Sequence, residues 1–438
     1  MFSNLLFKIQ DKLTFLYENS LFLQKIDFFI LCSILAVFVS STVLSSDCIG
    51  FIALITMFLT FVKLLTNKGE KFNFNLFEIF LVAYFMIVVI SLAGSTLFVL
   101  SLKGFLKTFV YIGFYFSVAH YLKNNLNKLP LICLTIAGCV GFESIVALLQ
   151  NFAHVEAIST WQDISNLNPE QIMTRVYGTL QPLNPNLLGG YFVVGIPIVF
   201  AMSAYYFLRK NVKRAFVGLG LSFLSVLALF LTGCRGAYLS MILILGCTFL
   251  LSAKFLWAKF KKVFLSIIGA VTAIFSFALI SVASLRARFL SIFAMRADSS
   301  NSFRFNVYQS SLEMFKDNWL LGIGVGNKNF REIYGLYMKT GFDALSSYNV
   351  FLEIAVESGI FALIAFLGFI SICVKDAIKI IFTSTDFVKV IFVSMAVVSI
   401  LAVMFHGFVD TVFFRPQIQF IFWTVVAVVS AYKEESAI

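Results

Sequence analysis

The chain has 438 residues, of which 60% are hydrophobic, 17% aromatic and only 13% charged, with a mean hydropathy of +0.94. A soluble domain is about 45–50% apolar and about 25% charged, so a chain with 54 phenylalanines has too little polar surface to cover them. A soluble secreted enzyme, a disordered chain and a nucleic-acid-binding protein are excluded, and the net charge of +11 is read as basic loops facing anionic lipid headgroups.

A bilayer core about 30 Å thick takes roughly 20 apolar residues per helix. In chain order the stretches that meet this are 27–46, 48–66, 74–93, 100–121, 129–150, 187–207, 213–231, 236–253, 262–283, 349–373, 388–406 and 417–432. The expected fold is all-α: a polytopic integral membrane protein of about 12 transmembrane helices, with one long periplasmic loop carrying short amphipathic helices. Four regions follow: a cytoplasmic N-terminal segment (1–26), nine transmembrane helices (27–283), the long loop (284–348), and three further helices with a short cytoplasmic tail (349–438). With the N-terminus inside, 20 of the 33 basic residues fall in inside segments, and the short outside loops hold only Arg175, Arg235 and Arg415. That asymmetry predicts both termini in the cytoplasm of a bacterial inner membrane. Ser302–Asn318 places Phe303, Val307, Ser311, Met314 and Phe315 at helical spacing, which predicts an amphipathic helix on the membrane face.

The seven cysteines show no short repeated spacing and read as small core hydrophobes, and no metal-ligand spacing is present. Neither a cofactor nor a metal is expected. Gly322-Ile-Gly-Val-Gly326 follows an amphipathic helix, not a strand, so it reads as a tight turn and not as a dinucleotide loop.

The outward arginines Arg175 and Arg235 oppose the orientation rule and so call for a reason. A guanidinium stays charged and grips phosphate bidentately, which suits a lipid-linked diphosphate; snorkelling to headgroups is the plainer alternative. Asn184-Pro-Asn186 reads as a turn opening a helix, with Asn186 as the cap. Glu353 and Glu357 lie one turn apart at the start of the tenth span, as helix-dipole partners or as a catalytic pair. Glu143, inside the fifth span, needs a cavity or a partner. At the end of the eleventh span His406, Asp410 and Arg415 cluster, either with Asp410 pairing to Arg415 or with a functional role.

Four stretches together resemble the O-antigen ligase/polymerase superfamily: Arg175 through Asn186, Cys234-Arg-Gly-Ala-Tyr238, Asn301-Ser-Phe-Arg304 through Asn327, and Asn349-Val-Phe-Leu-Glu-Ile-Ala-Val-Glu-Ser-Gly359. Ala344–Glu357 and His406–Pro416 are similar to a subgroup labelled inorganic-carbon (bicarbonate) transporters. The resemblance implies a polytopic glycosyltransferase fold. In it a polyprenyl-diphosphate-linked glycan is held by Arg175, Arg235 and Arg304 and transferred to a saccharide or lipid acceptor among membrane lipids. Asn186, Asn349 and Arg415 complete the expected substrate-binding set. Where ligases read His-Asn or His-Ser ahead of Leu-Glu, this chain has Ser346-Ser-Tyr-Asn349, so the loop imidazole is absent. Tyr348, Glu353, Glu357, His406 and Asp410 are left as the candidates for proton transfer. Alternative readings are a bicarbonate transporter and an accessory envelope protein without catalysis.

Overall fold

The computed structural model describes residues 15, 18–66, 74–154, 175–281, 283–293 and 299–435. Among these the chain forms helices and no strand. The helices of eight or more residues are α1 (Ile26–Ser41), α2 (Ser46–Thr66), α3 (Leu76–Gly94), α4 (Phe98–Asn124), α5 (Leu129–Phe152), α6 (Pro185–Leu208), α7 (Val212–Leu231), α8 (Arg235–Ser281), α9 (Ala283–Leu290), α10 (Ser299–Asp317), α11 (Asn327–Tyr334), α12 (Val350–Thr383), α13 (Phe387–His406) and α14 (Pro416–Glu435). Nine helices among the described residues are long and apolar enough to cross a membrane: α2 to α7, the first 19 residues of α8, α12 and α13. The chain is a multi-pass membrane protein.

Four of the expected spans differ. The first is a helix of only 16 residues, about 24 Å long. The eighth and ninth fall in one helix, because no proline interrupts Arg235–Ser281 and the lysine-bearing stretch between them is rich in good helix formers. The last is α14, which carries two buried glutamines yet is buried from Pro416 to Tyr432. It is a core helix in which each amide makes one bond: Gln417 Nε2 donates to Gln181 O at 2.7 Å, and Gln419 Oε1 accepts from Trp423 Nε1 at 2.5 Å, while Gln417 Oε1 is buried without a partner among the described residues.

α14 and α6 form the centre. α14 packs against α4 and α13, and α6 against α5, α7 and α13. α12 lies along α3, and the loop helix α10 rests on α12. The loop has a small core of its own, in which Phe303, Val307, Met314, Ile323, Phe330, Tyr334 and Ala344 enclose Val356 of α12. The expected amphipathic helix is α10, but its apolar face is spent on this core and on α12.

One end of the bundle holds the loop helices. At the other, ion pairs tie the end of α14 to its neighbours: Lys123 to Glu434 (3.0 Å), Lys389 to Glu435 (3.1 Å) and Lys433 to Asp376. Lys63 pairs there with Asp27 at 2.8 Å.

α12 is broken at Gly359, whose φ of 82° and ψ of 176° lie outside the helical range. The Gly322–Gly326 turn packs against this break. Ile323 N–H donates to Val356 O (3.0 Å), Gly324 N–H to Glu357 O (2.9 Å) and Ile360 N–H to Trp319 O (2.9 Å). The carbonyls freed by the break thus find donors in the loop, as buried backbone requires. The glycine turn sits against α12 and α4, where a Cβ on Gly104 would stand 2.3 Å from Val325 O.

Candidate functional site: an arginine cluster at the loop end

α7 ends at Leu231 and α8 starts at Arg235, and the turn between them is gripped from two sides. Arg175 Nε donates to Thr232 O at 2.8 Å. From the other side His406, the last residue of α13, brings Nε2 to 3.5 Å from Cys234 Sγ. The ring lies so close to the chain that a Cβ on Gly236 would be 3.1 Å from Nε2. Arg235 is buried between these contacts at 8% exposure.

Asn186 and Asp410 carry the cluster further. Arg175 Nη2 donates to Asn186 Oδ1 (2.5 Å), and Asn186 Nδ2 donates to Asp410 Oδ2 (3.0 Å). The same Asp410 oxygen faces Arg304 Nη2 of α10 at 3.5 Å. Asp410 Oδ1 accepts from Thr411 N–H (2.8 Å) and Val412 N–H (3.2 Å), which fixes the carboxylate. Arg304 also donates Nη1 to Ser300 Oγ (3.1 Å) and lies 5.8 Å from the centre of the Tyr348 ring.

Charge here is mostly positive: Arg304 faces Asp410 directly, Arg175 reaches it through Asn186, and Arg235 lies close enough to act on Arg175. Burial lowers the pKa of Arg175, and Arg304 and Arg235 push the same way. Burial is the strongest single influence on Arg304 and opposes its charge, but Asp410, Tyr308, Cys234 and Tyr348 together outweigh it and the pKa is raised. Burial, followed by Asp410, raises the Tyr348 phenol. Tyr348 stays protonated near neutral pH and donates rather than accepts a proton.

Arg175, Arg235, Arg304, Asn186, His406 and Asp410 therefore share one neighbourhood, with Tyr348 at its edge. The other expected residues stand elsewhere. Asn349 caps α12, with Oδ1 accepting from Leu352 N–H (2.9 Å) and Nδ2 donating to Phe408 O (3.1 Å). Arg415 does not pair with Asp410, whose oxygens are taken as above; its carbonyl starts α14 and its charge is felt by Glu353. Glu353 and Glu357 are buried on α12, turned toward a cavity against α4 and α14. Glu143 finds its partner in Thr179, whose N–H donates to Oε2 (3.0 Å) and hydroxyl to Oε1 (2.5 Å).

Asn186 is not the helix cap. Asn184 is, accepting from Asn186 N–H (2.7 Å) and Leu187 N–H (3.4 Å), with Pro185 in the first turn. Asn186 is thereby free to bridge Arg175 and Asp410. The Cys234–His406 contact was absent from the sequence reading, and 172 positions of separation leave no local signal for it.

The family model for O-antigen ligase matches residues 220–367, about a third of the chain. No curated protein matches it. The matched stretch carries Arg235, Arg304, Tyr348, Asn349, Glu353 and Glu357, while Arg175, Asn186, His406, Asp410 and Arg415 lie outside it.

Proposed function

We propose that this protein transfers a polyprenyl-diphosphate-linked saccharide to an acceptor at the outer face of the inner membrane, in the manner of an O-antigen ligase or polymerase. The observation that carries the reading is the gathering of Arg175, Arg235 and Arg304 in one neighbourhood, with Asp410 joined directly to Arg304 and through Asn186 to Arg175. Like charges gathered out of water repel one another, and a diphosphate supplies negative charge that suits such a cluster. The N-terminus of α8 begins at Arg235, so its dipole adds to the same field.

In the transfer, an acceptor hydroxyl attacks the anomeric carbon, the bond from that carbon to the diphosphate oxygen breaks, and the polyprenyl diphosphate leaves with the electron pair. The arginines stabilise the charge that grows on the leaving group. The hydroxyl proton needs an acceptor. The loop imidazole of the ligases is absent, and His406 is the imidazole that this cluster contains. Membrane lipid, the lipid-linked donor and a saccharide or lipid acceptor are the partners this reading implies.

The test is transfer in vitro with lipid-diphosphate glycan donors. Turnover by the wild type, lost in Arg235→Ala, supports the reading. No turnover with any donor, together with bicarbonate-dependent flux in proteoliposomes, would replace it by anion transport.

A further inference from the structure

A second site lies beside the broken helix, on the far side of the Ser346–Asn349 turn from the arginines. There α4, α12 and α14 and the Gly322–Gly326 turn border a partly open cavity of about 60 Å³. Glu353 and Glu357 line it, although their side chains belong to residues only 1% and 7% exposed. Each carboxylate is held by one oxygen. Glu353 Oε2 accepts from Ser347 N–H (2.9 Å) and Ser347 Oγ–H (3.3 Å), and Glu357 Oε1 accepts from Gly326 N–H (2.8 Å). The other two oxygens have no hydrogen-bond partner among the described residues. Around them stand Tyr84, Phe413, Trp423 and the amide of Gln419.

Unlike the walled-in unpartnered atoms elsewhere in the protein, these two oxygens open on the cavity, so a ligand entering it meets two acceptors and is best held by hydrogen bonds that it donates. An acyl chain has no donor. A phosphate or carboxylate would meet two carboxylates. A metal ion would find no set of three His, Cys, Asp or Glu ligands among the described residues, and Lys107 lines the same space. A neutral ring bearing several hydroxyls meets every requirement: its O–H groups donate to the two carboxylates, and its C–H face lies on the aromatic rings. We propose that the cavity between α4, α12 and α14 is a saccharide-binding pocket in which Glu353 and Glu357 accept hydrogen bonds from ring hydroxyls. That the sugar is the acceptor rests on the glycan-transfer reading; that the pocket binds a sugar does not. The Ser346–Asn349 turn touches both sites, with Ser347 on Glu353 and the Tyr348 ring beside Arg304.

The experiment is a titration of the full-length protein in nanodiscs with the methyl glycosides of glucose, galactose, mannose and N-acetylglucosamine, read by saturation-transfer NMR. At least one glycoside binds, and Glu353→Gln and Glu357→Gln each weaken it 10-fold or more. Gln keeps an acceptor oxygen for Ser347 or Gly326, so the fold survives, and unchanged thermal melting checks that it does. Trp423→Phe, which leaves the two carboxylates in place, reports the aromatic wall by a separate loss of saturation transfer. Arg235→Ala leaves glycoside binding intact while transfer is lost. Binding without turnover by the wild type keeps the pocket and removes the ligase reading. No glycoside bound, binding indifferent to both Gln substitutions, or displacement of the sugar by millimolar Mg²⁺ overturns the pocket.

Discussion

Asp410 holds the arginine cluster in register, because one of its oxygens is fixed by two backbone N–H groups and the other faces only donors, Asn186 Nδ2 and Arg304 Nη2. In Asp410→Asn one of these positions becomes an NH₂ group, which sets donor against donor on one side or the other. A hydrogen bond to a charged group contributes about 1.5–3 kcal/mol, so this variant is expected to lower the melting temperature and to reduce transfer at least 10-fold. Unchanged melting and full activity would remove Asp410 from its organising role. In the proposed transfer Arg235 acts on the leaving group instead. Loss of such a contact costs about 2.7–4 kcal/mol, so Arg235→Ala is expected to slow transfer roughly 100-fold or more, with partial recovery in Arg235→Lys because charge returns without bidentate geometry. Tyr348→Phe is expected to change the rate only a few-fold, since the raised phenol does not serve as a base at neutral pH. The arginines were legible in the sequence because a basic residue in a short outward loop opposes a strong statistical tendency. Asp410's partner was not. Its neighbour Arg415 was the local choice, and only tertiary packing brings Arg304, 106 positions away, to it. Asn186 failed as a cap for a related reason: two asparagines flank Pro185, and a sequence does not say which one the fold needs elsewhere.

At the scale of elements, what the sequence conceals is the break in α12. Apolar composition from Val350 onward reads as one span, and nothing in it distinguishes Gly359 from any tolerated helical glycine. The structure shows the difference: φ is positive, and a Cβ there would stand 2.1 Å from Leu320 O, on backbone that cannot move aside cheaply. Gly359→Ala is therefore expected to destabilise the loop against the bundle by about 1–3 kcal/mol from backbone strain alone, with the clash adding to it. Measured in detergent, it should melt well below wild type. A Gly220→Ala control in α7, where an added methyl meets nothing within 4 Å, should lose less. Equal melting of Gly359→Ala and wild type would mean that the loop does not depend on the break. The amphipathic helix was legible for the opposite reason, since its 3.6-residue pattern is local; only the surface it covers, α12 instead of lipid, needed the fold.

For the whole molecule, the helical class and most spans follow from hydropathy because the bilayer leaves few alternatives. α14 shows where that logic stops. A helix at the centre of a bundle can carry glutamines whose amides find partners within the protein, as Gln417 Nε2 and Gln419 Oε1 do, and so it reads as weakly apolar. The two ends of the bundle differ in chemistry. The arginine cluster, the cavity and the loop share one end, while Lys63, Lys123, Lys389 and Lys433 form their ion pairs at the other. Basic residues gather on the cytoplasmic side, so the loop end is expected to face the periplasm, where a lipid-linked donor is presented. The check uses Lys328→Cys in the loop and Lys379→Cys near the end of α12, both exposed positions, with the exposed Cys32 and Cys48 replaced by serine. On intact spheroplasts a membrane-impermeant maleimide should label position 328 and leave 379 protected until lysis. The reverse pattern would place the arginines in the cytoplasm and end the case for transfer at the outer face, whatever the binding measurements gave.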